Sequence, residues 1–262
     1  MSVDWTAPWL APYRCTGEPL IRQIEVGVPR VEALNQALHR LRLNGEPRDR
    51  PLRFVEQSAL PAGEPYEAFI ARTGSVPTRD NAHDLFNGLV WLAYPVLKAR
   101  LNALQGEQLG RDGVGSRRGA VRDALTLFDE NAAWLQAPPA LVDALQRRDW
   151  ATLFVSQRVL WRDARLVLFG HALLEKLLKP RKAMTAHVWV VPLGIDDPAA
   201  WLAGQLTPAS LAPATPAVRP WLPLPVLGVP DWWNLNRQIG FYDDASVFRP
   251  LSRTLQIGGS TA

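Results

Sequence analysis

PTRDNAHDLFNGLVWLAYPVLKARLN, residues 77–102, carries the pattern that decides the fold. Apolar residues at helical spacing predict one helix over residues 80–94 and a second over 96–104, with Pro95 suited to the first turn of the second. Thr78 or Asp80 can cap the first helix. Phe86, Leu89, Val90 and Ala93 form its core stripe, while His83, Asn87 and Trp91 share the other face beside Gly88, which leaves room for an approaching group. His83, Asp84, Asn87, Lys98 and Asn102 are costly among such apolar neighbours unless paired or used, so the run marks a site.

Outward from this run, further helices are expected over residues 31–43, 118–133, 140–146 and 197–204, and a long segment over 149–178 closed by Pro180. Residues 52–55 and AHVWVV at 186–191 read as strands. The 23 prolines crowd the first twenty residues, 47–77 and 192–230, predicting turns and extended chain there. The reading is one globular α+β domain over 1–262, mainly α with a few short strands. It comprises an irregular N-terminal segment (1–30), a mainly helical body (31–191) and a Pro/Trp-rich C-terminal wrap (192–262).

Composition narrows the function classes. A net charge of +4, with arginines scattered, permits a small anionic ligand and offers only weak support for nucleic acid. Cys15 is the single cysteine, which excludes an internal disulfide and a cysteine metal cluster. The start MSVDWTAPWLAPY lacks the basic opening and apolar core of a signal peptide, and no run reaches the roughly 18 apolar residues of a membrane span, so a soluble cytoplasmic protein is expected.

Four strings, at residues 77–102, 117–133 (RRGAVRDALTLFDENAA), 169–189 (FGHALLEKLLKPRKAMTAHVW) and 224–250 (LPVLGVPDWWNLNRQIGFYDDASVFRP), resemble the bacterial domain-of-unknown-function family numbered 3025. The resemblance spans residues 66–250 and implies no activity, cofactor or catalytic residue.

The residues therefore carry the chemical argument. His83, near the positive end of its helix, suits a general base or metal ligand, with Asp84 and Asn87 beside it; the alternative is hydrogen bonding that holds a neighbouring loop. His83 followed by Asn102 resembles single-histidine metal nucleases in outline, except that their histidine ends a strand. Arg118, Arg122 and Asp129 share a helix face that either clamps a phosphate or carboxylate or forms a salt-bridged surface. The glycines of residues 110–119 fit neither nucleotide-binding spacing.

His171 and Glu175, one helical turn apart, and His187 at the start of the next strand join His83 as candidate ligands for a divalent metal. His171 is also a catalytic candidate. In the tail, Trp232, Asn234 and Asp243 either wall a ligand site or anchor a wrap. Three functions stand: a metal-assisted hydrolase acting on a phosphate-containing substrate with His83 as base or ligand, a binding protein for a small anion, or a protein-interaction module.

Overall fold

The computed structural model describes residues 2–41, 51–112, 119–212 and 221–251. Within the expected irregular start, a 3-10 helix (Pro8–Tyr13) leads into helix α1 (Arg14–Glu25). Its anchor is tertiary: buried Tyr13 donates its hydroxyl proton to the Leu168 carbonyl at 2.6 Å. Helix α2 (Arg30–Arg40) buries Leu34 and Leu38 as its spacing requires. Strands β1 (Arg53–Glu56) and β2 (Ser75–Thr78) pair in parallel across helix α3 (Tyr66–Thr73).

The central run folds as helices α4 (Ala82–Ala93) and α5 (Pro95–Asp112), broken at Tyr94 because the residue before proline is driven from helical backbone. Asn81 caps α4, its Oδ1 accepting from the Asp84 amide at 2.8 Å. The room beside Gly88 is taken by Leu34: a Cβ at that glycine would lie 2.7 Å from the leucine Cδ2. Close helix packing, and not ligand access, accounts for this glycine.

Helix α6 (Ala120–Asn131) ends earlier than its apolar pattern suggests and passes directly into strand β3 (Ala132–Gln136). A short, fully buried apolar run reads the same in either state until its partners are known. Helix α7 (Pro139–Gln146) follows. The segment 149–178 is not one long element. It divides into a π-helical turn at Thr152–Ser156, a 3-10 stretch at Arg158–Asp163, strand β4 (Arg165–Leu168) and helix α8 (His171–Lys176).

Strand β5 (Thr185–Val190), helix α9 (Pro198–Gln205) and strand β6 (Leu222–Pro225) complete the main elements. The larger sheet runs β4-β3-β5-β6, with β3 and β5 parallel and the outer strands antiparallel. Pro223 and Pro225 are compatible with β6 because it is an edge strand, where missing donors cost no ladder bond. The rest of the described tail packs its aromatics inward, Tyr242 stacking on Phe154 at 5.3 Å. Buried apolar residues form one cluster from Ala7 to Phe248. Among the described residues no helix is long and apolar enough to cross a membrane.

Candidate functional site

Packing of α4 against α8 brings His83 to His171. Their Nε2 atoms are 3.0 Å apart, and the ring centroids 4.6 Å apart with planes at 74°. The His171 Nδ1 lies 2.8 Å from the Asp129 backbone carbonyl. The His83 Nδ1 lies 2.9 Å from Glu175 Oε2. Glu175 therefore engages the histidine across the helix interface rather than its own i, i+4 neighbour.

These contacts allow a proton count. A carbonyl only accepts, so His171 Nδ1 carries a proton and its Nε2, in a neutral ring, offers a lone pair. His83 Nε2 is then the donor across the 3.0 Å contact. The contact between His83 Nδ1 and Glu175 needs one further proton, held by either partner. The array Glu175–His83–His171 is satisfied only with one proton more than a carboxylate and two neutral imidazoles contain.

Burial drives His171 down from 6.5 to about 4; the Asp129 carboxylate opposes this and the neighbouring Lys98 and His83 reinforce it. His171 is 5% exposed and stays neutral at neutral pH. His83 and Glu175 have side chains 35% and 37% exposed, so the array runs from the interior to solvent.

Lys98, 4% exposed, lies behind the pair. Its ammonium donates to Asp129 Oδ1 at 2.6 Å and Asn87 Oδ1 at 2.8 Å, and sits 5.3 Å from the Trp91 ring centroid. Burial raises the Asp129 carboxyl most, but Lys98 together with His171 and His83 outweighs it and holds the group below the usual carboxylate range. Asn87 in turn donates to the Tyr66 hydroxyl at 3.0 Å, a phenol that burial and then the Asp84 carboxylate push well up. Gly170 permits the closure onto Asp129: a Cβ there would lie 2.4 Å from the Glu130 carbonyl oxygen and from the Asn131 nitrogen.

A cavity of about 330 Å³ opens on His83, His171, Asn87 and Asp129. Asp84 also lines it, but its carboxylate is occupied by the Arg79 amide, Nε and Nη2 at 2.6, 3.0 and 2.9 Å. Glu67 and Glu130 line it too and have no ion-pair partner among the described residues, so the wall is acidic.

The remaining candidates lie elsewhere. Arg118 falls outside the described residues. Arg122 does not line the cavity, and its Nη1 is buried with no partner among the described residues. Asn102 bonds the Glu67 carbonyl at 2.9 Å, which removes it from the nuclease-like arrangement. His187 faces a different cavity with Trp221. Trp232 packs on Trp9 at 6.1 Å, and Asn234 and Asp243 are exposed in the wrap. The buried tail amide is Asn236, which donates to the Leu227 and Val229 carbonyls at 3.0 and 2.7 Å. Among the described residues no three His, Cys, Asp or Glu side chains gather as a metal-ligand set.

Sequence reasoning missed the roles of Tyr66, Arg79 and Gly170. Of these, only Gly170 left a signal, as the glycine preceding the histidine of an otherwise apolar string.

A family model described as a protein of unknown function (DUF3025) matches residues 52–252. No curated protein and no solved structure matches the chain.

Proposed function

The chain belongs to the DUF3025 family, whose membership assigns no activity, and we propose from the geometry that it is a hydrolase working through the His83–His171 pair. The supporting observation is the 3.0 Å contact between their Nε2 atoms inside a proton-bearing array that opens on a cavity. In the cycle we infer, substrate entry separates the pair. Neutral His171 Nε2 takes a proton from water as the water oxygen attacks. His83 Nε2–H gives its proton to the leaving atom. The pair then closes and the proton passes from His171 to His83, restoring the starting state. Glu175 holds the His83 ring through its contact with Nδ1 throughout.

The acidic lining favours a neutral or cationic scissile group over a phosphate, because Arg79, the one guanidinium lining it among the described residues, is already engaged by Asp84. A metal-assisted variant draws on the Nδ1 contacts that orient the two rings: His83 and His171 would hold a divalent ion, which would supply Lewis-acid activation of water. A screen of esters, amides, phosphomonoesters and phosphodiesters, with and without added divalent ions, tests the reading and separates the variants. His83→Ala should abolish whatever turnover appears while Tm moves little. A large fall in Tm, or turnover that persists, would make His83 a structural group.

A further inference from the structure

A second cavity, of about 730 Å³, lies where the end of α7, the β5–β6 edge and the chain near residue 249 meet. Its chemistry is opposite to that of the histidine site. Among the described residues its lining contains Arg148, Arg249 and His187 and no aspartate or glutamate. Trp150 and Trp221 supply flat apolar wall. The register pairs Thr185 with Pro225 and His187 with Pro223, and Thr185 and His187, two apart on β5, face the same way.

The walls are held in place. Trp150 Nε1 donates to the Arg249 carbonyl at 2.9 Å, and Arg249 Nε donates to the Ser246 carbonyl at 3.0 Å. Neither arginine meets a carboxylate among the described residues, in contrast to Arg72, Arg79 and Arg237 elsewhere. Arg148 also occupies left-handed backbone at φ 51°. It closes α7 with its amide on the Leu145 carbonyl at 3.0 Å, while the Asp149 amide reaches the Ala144 carbonyl at 2.9 Å. Glycine normally fills this position at a helix end, because an L side chain is strained there. The chain instead places a guanidinium at the cavity wall.

We propose that this cavity binds a small ligand joining an anionic group to a flat aromatic body. The guanidiniums of Arg148 and Arg249 hold the anion, and the indoles flank the ring. The volume lies within the range of small-molecule sites, and the inference stands apart from the hydrolase reading, because its residues belong to another cavity.

The test is titration of the intact chain by calorimetry and tryptophan fluorescence, using adenosine monophosphate and naphthoate as aromatic anions. Adenosine and inorganic phosphate supply each half alone. At least one aromatic anion should bind saturably at one per chain, with adenosine and phosphate at least roughly tenfold weaker. Arg148→Gly and Arg249→Ala should each weaken binding by about tenfold or more. Arg148→Gly should at the same time keep or raise Tm, which separates loss of a contact from loss of fold. His83→Ala should bind as the native protein does. Absence of saturable binding by both aromatic anions would overturn the proposal. So would equal binding of adenosine, or unchanged binding in both arginine variants.

Discussion

Replacing His171 with asparagine should flatten the acid sensitivity of folding. In the native chain this imidazole is buried and held from 6.5 down to about 4, so protonating it in place is unfavourable. The folded value lies below the unfolded one. Between about pH 6.5 and 4 the unfolded chain therefore binds more protons, and stability falls as pH falls through that window. The full difference is worth roughly 3 kcal/mol, of which about 2 kcal/mol is lost between pH 7 and 5. Asparagine can place an amide N–H near the position of Nδ1 and so keep a donor toward the Asp129 carbonyl, but it does not titrate. Urea unfolding of both proteins at pH 7, 6 and 5 reads the effect. The variant should be the less stable at pH 7, and its disadvantage should shrink by about 2 kcal/mol at pH 5. Groups common to both chains largely cancel in that difference. Parallel losses in the two proteins would refute the buried neutral histidine and, with it, the proton count at the site.

Two other perturbations probe the supports of the pair. Lys98→Met removes the ammonium that Asp129 and Asn87 share, leaving a largely enclosed carboxylate uncompensated; chemical denaturation should show a loss of about 3–5 kcal/mol. Gly170→Ala drives a methyl into the backbone of Glu130 and Asn131, so a thermal melt should show destabilisation of about 2 kcal/mol or more together with loss of any turnover.

The residues themselves determined much of the outline. Helical spacing and Pro95 specified α4 and α5, Leu34 and Leu38 specified α2, and β-branched AHVWVV specified β5, because these signals act within a few residues of the chain. The family was also legible, in four distinctive strings kept in one order. Strands β3 and β4 were not, since AAWLQ and RLVL become strands by pairing with each other and, for β3, with β5. The same limit governed the sites. Polar groups in an apolar run announced that His83, Asn87 and Lys98 were paired or used, for burying them otherwise is too costly. Which partners they took was decided by packing: α8 approached α4 to meet His83 across 88 residues of chain, while Asn87 and Lys98 took Tyr66 of α3 and Asp129 of α6. The Asp84–Arg79 pairing is local, five residues apart, but the approach of α8 gave Glu175 to His83, and the sheet left His187 to a different cavity. Hydrogen-bond partners this distant in sequence are chosen by packing, and local pattern does not encode them.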